Sequence, residues 1–280
     1  MELQALKDMA TQVRRDIVRM VHTVQSGHPG GSLGCTDYLV ALYFNEMNHN
    51  PEFKMEGKGE DVFFLSNGHI SPVFYSVLAR SGYFPKEELS TFRKLNSRLQ
   101  GHPATHEHLP GVRIASGSLG QGLSVASGMA MAKRMNNDGS FIFALTGDGE
   151  LQEGQNWEAI MFAAHHKLDK LIIAVDFNGQ QIDGPTKIVM NLGDIRTKFE
   201  AFGWEVLDIN KGNDMEAVLA GLAQAKAVSG NEKPVCILLT TEMGAGVSFM
   251  EGTHEWHGIA PNDEQLAVAL SELPETLGDY

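Results

Sequence analysis

FIFALTGDGE, residues 141–150, joins a short apolar run to an aspartate that lies between two glycines. A short apolar run that is followed at once by glycine is typical of a buried strand. Three further runs of this kind occupy residues 62–65, 171–175 and 235–239, and helical patterns of apolar residues separate them. Strands that alternate with helices favour a parallel sheet covered on both faces. The sequence therefore predicts an α/β fold, in which a parallel sheet is flanked by helices.

Polar groups follow two of these predicted strands. Asp148 comes directly after the first run, and Asn178 comes after the next run, thirty residues later. Ligands of parallel sheets lie beyond the carboxyl ends of the strands, and glycines let the backbone approach them closely. Because carboxylate and amide oxygens are ligands that Mg²⁺ prefers, Asp148 and Asn178 together predict a magnesium site. The alternative is that both segments are only tight turns.

Composition narrows the class of protein. The chain has 22 basic and 35 acidic residues, a net charge of −13, so a broad nucleic-acid-binding surface is not expected. The two cysteines, Cys35 and Cys236, belong to no motif, which argues against a disulfide scaffold and a cysteine-ligated zinc site. The sequence shows no apolar signal segment and no long apolar stretch, so we expect no membrane contact and a cytoplasmic location.

Four of the eleven histidines lie in loops that are flanked by glycine or proline: His28, His69, His102 and His257. A single loop histidine is usually a surface residue, but loops of this composition are fixed enough to aim a side chain. Imidazole can donate and accept protons near neutral pH. The four loops therefore predict a site, with a chelated zinc ion as a less favoured alternative.

Several motifs carry a resemblance to a known family. Gly147-Asp148-Gly149 followed by Asn178 is similar to the motif that binds thiamine diphosphate. The segments SGHPGGSLG, GHP, GSLGQG and WHG, at residues 26–34, 101–103, 117–122 and 256–258, resemble transketolase in the same order. The resemblance runs from the first helix to about residue 262. It implies a thiamine-diphosphate-binding fold of the diphosphate (PP) type over residues 1–262, with residues 263–280 as a C-terminal tail.

The resemblance also implies a set of ligands for the cofactor diphosphate and its cation. Asp148, Asn178 and the backbone carbonyl of Gln180 would hold Mg²⁺ or Ca²⁺. Gly149 would donate its N–H to the diphosphate. These assignments extend the magnesium site that the two strand ends predict.

The four loop histidines take roles in the same resemblance. His69 and His257 would reach the diphosphate of thiamine diphosphate. His28, His102 and His257 would line the channel to the reactive carbon of the cofactor and contact the oxygens of the sugar. The family therefore implies a catalytic use for three of the four.

Other positions are implied less directly. The backbone at Gly117 and Leu119 would lie along the cofactor, and Glu153 would join a carboxylate network across a subunit interface. Glu158 is read as an ordinary charge at a helix start, which the helix dipole favours. Arg93 is balanced between a contact to a sugar phosphate and a solvated helix arginine.

The implied activity is the transfer of a two-carbon ketol unit from a ketose phosphate to an aldose phosphate, in the pentose phosphate pathway. In transketolases the glutamate that activates the cofactor lies in a second, pyrimidine-binding domain. The chain resembles the diphosphate-binding subunit of a split transketolase, with the pyrimidine-binding domain on a C-terminal partner chain and two copies of each in a heterotetramer. Ala245 departs from the family pattern, in which a lysine stands between the two glycines.

Three alternatives stay open at the level of sequence. The chain could be a subunit of another thiamine diphosphate enzyme, of the 2-oxoacid dehydrogenase or deoxyxylulose-phosphate synthase type. It could be a cofactor-binding module without chemistry of its own, although the channel histidines argue against that. A nicotinamide-dependent dehydrogenase is disfavoured, because the glycines of residues 117–122 do not follow a clear strand and do not have the dinucleotide-binding spacing.

Overall fold

The computed structural model describes all 280 residues and confirms the predicted α/β class. Seven strands occur: β1 (Val62–Leu65), β2 (Ile142–Gly147), β3 (Leu171–Asp176), β4 (Gln180–Gln181), β5 (Gly184–Pro185), β6 (Glu205–Ile209) and β7 (Val235–Leu239). Five of them form one parallel sheet in the order β1-β2-β3-β7-β6. The other two, β4 and β5, pair as a small antiparallel hairpin just beyond β3.

Ten α-helices surround the sheet: α1 (Leu3–Val24), α2 (Pro29–Gly34), α3 (Thr36–Ala41), α4 (Ser71–Arg80), α5 (Gly122–Met135), α6 (Gly154–His165), α7 (Thr186–Val189), α8 (Ile195–Ala201), α9 (Met215–Val228) and α10 (Asp263–Glu272). A π-helical turn covers Leu42–Glu46, and 3₁₀ turns cover Gly68–Ile70, Lys86–Thr91, Thr105–Glu107, Glu150–Gln152 and His254–His257. None of the helices is both long and apolar enough to cross a lipid bilayer.

The sheet separates two apolar layers, because successive side chains of a strand point to opposite faces. Phe143 and Leu145 of β2 join the layer that is covered by α1, α3, α4 and α9. Ile142 and Ala144 join the layer that is covered by α5, α6 and α8. Burial on both faces explains why the central strands are apolar without interruption, as the sequence indicated.

Parallel pairing brings the two polar strand ends together. Gly147, the last residue of β2, lies opposite Asp176, the last residue of β3. The Gly147-Asp148-Gly149 turn and the Asn178 loop therefore leave the sheet side by side at its carboxyl edge. This is the arrangement that their spacing predicted.

The start of the second helix was predicted wrongly. We expected Thr36 and Asp37 to cap it, but a helix already begins at Pro29, and a break at Cys35 separates α2 from α3. Proline is tolerated in the first helical turn, where its missing N–H has no partner to lose. Asp37 pairs instead with Arg14 of α1.

The glycines of α2 are explained by close packing. A Cβ atom on Gly30 would lie 2.7 Å from Met243 Cγ and 2.9 Å from the Trp256 carbonyl oxygen. A Cβ atom on Gly31 would lie 2.9 Å from Ile70 Cγ2. The SGHPGGSLG segment is therefore a helix that other loops contact directly, rather than a loop that merely stops α1.

Strand β6 was not predicted. It lies at one edge of the sheet, and Glu205 and Asp208 interrupt its apolar residues. An edge strand exposes part of its surface to water, so it lacks the continuous apolar run that marked the other four.

The C-terminal residues pack along α1. Asn262 and Gln265 form a reciprocal capping box at the start of α10, and Asp279 accepts hydrogen bonds from Arg15 at 2.7 and 3.0 Å. Helix α10 begins at the boundary that the sequence suggested, although the division of the chain there stays a prediction.

Removal of the Arg80 guanidinium is expected to destabilise the fold strongly. Arg80 donates to both oxygens of the fully buried Asp16 at 2.5 and 2.8 Å, and Ser76 Oγ donates to it at 2.7 Å. Arg80→Met leaves this carboxylate without its cation, which should lower the free energy of unfolding by about 3–5 kcal/mol. Arg98→Met is the control, because the bidentate Arg98–Glu88 pair is partly exposed and should contribute about 1 kcal/mol or less. Equal losses in urea denaturation would contradict this account.

Candidate functional site

A cleft of about 420 Å³ opens at the carboxyl ends of β1, β2 and β3. Every site residue that the sequence predicted lies in its wall: His28, His69, His102, Gly117, Leu119, Asp148, Gly149, Glu153, Asn178, Gln180 and His257. The sheet supplies the aspartate and asparagine from neighbouring strand ends. The histidines come from four loops that are far apart in the sequence.

Asp148 is held rigidly by backbone donors. The N–H of Gly149 donates to its Oδ1 at 2.7 Å, and the N–H of Gly179 donates to its Oδ2 at 2.8 Å. Glycine at 179 has φ +71°, a left-handed conformation that favours glycine. The carboxylate is therefore buried at the floor of the cleft, between the loops that follow β2 and β3.

Asn178 is fixed by the same loop. Its Oδ1 accepts from the Gln180 N–H at 2.8 Å, and its Nδ2 donates to Asp176 Oδ2 at 2.9 Å. The Gln180 carbonyl oxygen lies 3.9 Å from the position that a Cβ atom on Gly149 would take. The side-chain oxygens of Asp148 and Asn178 and the carbonyl of Gln180 thus border one small volume.

Asp176 is a member of this group that the sequence reasoning missed. It is about 3% exposed and accepts hydrogen bonds from Thr241 Oγ1 and from Asn178. Burial raises the pKa of Asp176. Burial and the neighbouring Asp176 carboxylate raise the pKa of Asp148 to about 7. The strand-end position of Asp176 was visible in the sequence, but nothing there connected it with Thr241 on a distant loop.

The wall of the cleft is acidic. It contains five carboxylate side chains and no lysine or arginine: Asp148, Glu150, Glu153, Asp176 and Asp183. No cluster of three or more histidine, cysteine, aspartate and glutamate side chains is arranged to hold a metal ion. A cation at this site would therefore need amide and backbone oxygens beside the carboxylates.

The four predicted histidines form one cluster. The His28 ring centroid lies 5.2 Å from that of His69, 6.2 Å from that of His102 and 5.5 Å from that of His257. The His69 and His257 centroids are 5.0 Å apart. Residues separated by more than 200 positions in the chain thus meet above the Gly-Asp-Gly turn.

Burial keeps these rings neutral. It lowers the pKa of His28 to about 4, with further effects from His257, Arg93 and His102, and it also lowers the pKa of His69, His102 and His257. A neutral imidazole carries one donor and one acceptor nitrogen. The Nδ1 atoms of His28 and His257 are buried without a hydrogen-bond partner, so the cluster offers free polar atoms to a ligand.

The segment 117–120 forms the opposite lip of the cleft. Gly117 lies against the His102 side chain, where an added Cβ atom would come within 3.5 Å. Gln155 Nε2 of α6 donates to the Leu119 carbonyl at 2.9 Å. Glu153 and Glu158 are both exposed near this lip, and the chain provides no hydrogen bond to either side chain.

Two other positions lie near the cleft. Arg93 is not part of the wall, although its charge lowers the pKa of His28 and His102. Its guanidinium donates to Ser26 Oγ at 3.2 Å, while its Nε is buried without a partner. Ala245 is buried, and its carbonyl accepts from Arg14 Nε at 3.0 Å.

Comparison with known proteins identifies the family. The family described as transketolase, thiamine diphosphate binding domain, matches residues 5–274. One of the two subunits of apulose-4-phosphate transketolase from Actinobacillus succinogenes is 39% identical over 271 residues, which cover 96% of this chain and 96% of that one. The 6-deoxy-6-sulfo-D-fructose transketolase subunit of a Clostridium species is also 39% identical, with the same shares covered.

Solved structures agree with this assignment. Transketolase from Campylobacter jejuni superposes with a TM-score of 0.90 at 38% identity, covering 98% of this chain and 43% of that one. Transketolase from Pichia stipitis in complex with sedoheptulose 7-phosphate superposes with a TM-score of 0.89 at 31% identity, covering 97% and 41%. The chain therefore belongs to the transketolase family, of which it forms the thiamine diphosphate binding domain with the thiamine-diphosphate-binding fold.

Proposed function

We propose that this chain is the diphosphate-binding subunit of a two-chain transketolase, and that it is active only with a partner that carries the pyrimidine-binding domain. One observation carries the proposal. The chain aligns over 96% of a relative whose name describes it as one subunit of a transketolase, whereas it spans 43% of a single-chain transketolase. The cleft supplies groups for the diphosphate and for a sugar, so a partner would supply the rest of the cofactor site.

We propose that Mg²⁺, or Ca²⁺ in its place, is held by Asp148, Asn178 and the carbonyl of Gln180. The acidic wall supports this, because a diphosphate would be repelled by five carboxylates unless a cation lay between them. A cation bound by Asp148 Oδ1 would also release the Gly149 N–H, which donates to that atom here. That N–H is then available to a phosphate oxygen.

Thiamine diphosphate, when bound, supplies the carbon nucleophile that removes a two-carbon ketol unit from a ketose. We assign the binding of its diphosphate to His69 and His257, beside the Gly149 N–H. His28, His102 and His257 would hydrogen-bond the sugar and move protons between its oxygens. Their lowered pKa values support this role, since neutral rings can both give and accept a proton at pH 7. Gly117 and Leu119 would keep the cofactor in place through their backbone.

The substrates are proposed as a ketose phosphate donor and an aldose phosphate acceptor, as in the pentose phosphate pathway in the cytoplasm. The names of two relatives point to other donors, apulose 4-phosphate and 6-deoxy-6-sulfofructose. All three donors present the same ketol group, so one cleft chemistry serves each. Recognition of the far end of the sugar would fall largely to the partner chain.

We propose a heterotetramer with two copies of each chain. Exposed apolar side chains on neighbouring helices support an interface beside the cleft: Val125 of α5 and Met161 and Phe162 of α6. Large exposed apolar patches mark surfaces that another chain covers. Glu153 and Glu158 lie on the same side and would join a carboxylate network between the two active sites.

The affinity for Mg²⁺ with the cofactor is expected to rise with pH and then level off. The pKa of Asp148 is raised to about 7, so at lower pH a proton occupies the carboxylate that the cation needs. Affinity should fall about tenfold per pH unit below pH 7, because each bound cation displaces a proton. Calorimetric titrations across this range measure the slope. Asp183→Asn, at an exposed carboxylate of the wall, should keep that slope, and a flat profile in the unaltered chain would contradict the role of Asp148.

The test is reconstitution of the activity. Ketol transfer to ribose 5-phosphate is measured with xylulose 5-phosphate, apulose 4-phosphate or 6-deoxy-6-sulfofructose, with thiamine diphosphate and Mg²⁺. The chain is assayed alone and with a pyrimidine-domain partner encoded beside it. We expect activity only in the mixture, and the preferred donor identifies the substrate. Activity of the chain alone, or none with any donor despite bound cofactor, would contradict the proposal.

A further inference from the structure

Glu150 lies where the loops of the cleft meet, and none of the roles proposed above includes it. Its side chain is about 2% exposed, directly after the Gly-Asp-Gly turn. A buried carboxylate is costly unless hydrogen bonds compensate for the lost water. Glu150 makes such bonds to three separate segments of the chain.

Each oxygen of Glu150 accepts one hydroxyl and one backbone donor. Oε1 accepts from Ser66 Oγ at 2.5 Å and from the Gly120 N–H at 2.7 Å. Oε2 accepts from Thr146 Oγ1 at 2.7 Å and from the Gly147 N–H at 3.2 Å. Ser66 follows β1, Gly120 belongs to the lip of the cleft, and the other two end β2. One side chain thus joins the lip to both strand ends.

A second route strengthens the same connection. Ser66 Oγ also accepts from the Gly122 N–H at 3.1 Å, so the lip is tied to Glu150 directly and through Ser66. Gly120 has φ +84°, and a Cβ atom there would lie 2.5 Å from Gln155 Nε2. The turn therefore has one tightly packed conformation, which the carboxylate holds against the end of β2.

We propose that Glu150 is a positioning residue, which fixes segment 117–122 relative to the Gly147-Asp148-Gly149 turn so that both can bind one cofactor molecule. The inference rests on the proposed function, because Gly117, Leu119 and Gly149 line the site assigned to thiamine diphosphate. Glu150 acts through these groups and does not touch the cofactor, since hydrogen-bond donors of the chain already surround both of its oxygens.

The arrangement requires a carboxylate rather than an amide. Glutamine at this position would present one NH₂ group in place of an oxygen. In either orientation that NH₂ faces a backbone N–H, of Gly120 or of Gly147, which cannot turn away. The hydroxyl groups of Ser66 and Thr146 can rotate to accept, so the loss falls on the backbone of one cofactor-binding segment.

Asp61 offers a matched control at the opposite end of β2. Its Oδ1 accepts from the Phe141 N–H at 2.7 Å, and its Oδ2 accepts from the Asn48 N–H at 2.9 Å. Asp61→Asn therefore repeats the same chemical conflict in a buried carboxylate remote from the cleft. It separates loss of cofactor geometry from general loss of stability.

The experiment measures the dissociation constant of thiamine diphosphate with Mg²⁺ for the full chain with its partner, and hydrogen exchange of segment 117–122 without cofactor. Glu150→Gln should weaken binding about tenfold to hundredfold, as expected for a lost hydrogen bond to a charged group, and should speed exchange in that segment. Asp61→Asn should leave binding within about twofold. Ser66→Ala, which keeps the carboxylate, should weaken binding severalfold and decides the question if Glu150→Gln does not fold.

The outcomes separate two failures. Unchanged affinity and exchange in Glu150→Gln and Ser66→Ala, with normal binding by the unaltered chain, would overturn the role of Glu150 alone. Equal weakening in Asp61→Asn would also overturn it. If the unaltered chain and its partner bind no thiamine diphosphate, the proposed function fails, and this inference fails with it.

Discussion

Replacement of Asp148 by alanine is expected to abolish ketol transfer, lowering kcat/KM by about 10³-fold or more, because the cation it would hold contributes several kcal/mol. Asp148 is the one proposed ligand that brings a negative charge to the cation, and it lies at the junction of the β2 and β3 loops. Without it, a diphosphate would meet the remaining carboxylates of the wall with no cation to separate them. Cofactor affinity and activity should therefore fall together.

Asp183→Ala is the matched control for this variant. Asp183 belongs to the same wall but is exposed, and its side chain makes no hydrogen bond within the chain. It should keep nearly full activity and cofactor affinity. If Asp148→Ala bound thiamine diphosphate and Mg²⁺ as well as the unaltered chain does, the proposed cation site would be wrong.

Replacement of His28 by alanine is expected to lower kcat by about 10²–10⁴-fold, the usual contribution of a proton-transferring side chain. His28 is the centre of the histidine cluster, within 5.2–6.2 Å of the three other rings, and its Nδ1 is buried without a partner. Its pKa of about 4 keeps the ring neutral down to acidic pH. Affinity for thiamine diphosphate should change much less than kcat, because other groups hold the diphosphate.

His106→Ala is the control for His28, since His106 lies in the neighbouring Thr105–Glu107 turn with a mostly exposed side chain. It should leave the steady-state constants unchanged. Steady-state kinetics and a cofactor titration on both variants separate chemistry from binding. Loss of cofactor affinity with an unchanged kcat in His28→Ala would place His28 at the diphosphate instead.

Local patterns were enough to predict the centre of the fold and the residues of the cleft. The four apolar runs each became a strand, because burial on both faces leaves a continuous apolar segment in the sequence. Asp148 and Asn178 meet because parallel strands end at the same edge of the sheet. The histidine loops were recognised by their glycine and proline neighbours, which fix the backbone around each ring.

Other features depend on contacts between distant segments, and no local pattern revealed them. Glu150 stood within the quoted motif, but its donors come from residues 66, 120, 146 and 147. Asp176 acts on Asp148 through space, with Thr241 behind it. The helical form of residues 29–34 follows from the close approach of Met243 and Ile70 to two glycines, which read in the sequence as a break.

The most direct test of the account is an equilibrium titration of thiamine diphosphate into the chain with its partner, with Mg²⁺ and again with a chelator. The account predicts saturable binding that requires the divalent cation, is lost in Asp148→Ala, and is not competed by thiamine without phosphates. Binding that survives the chelator or the substitution would contradict the assignment of the acidic cleft as a cation-bridged diphosphate site.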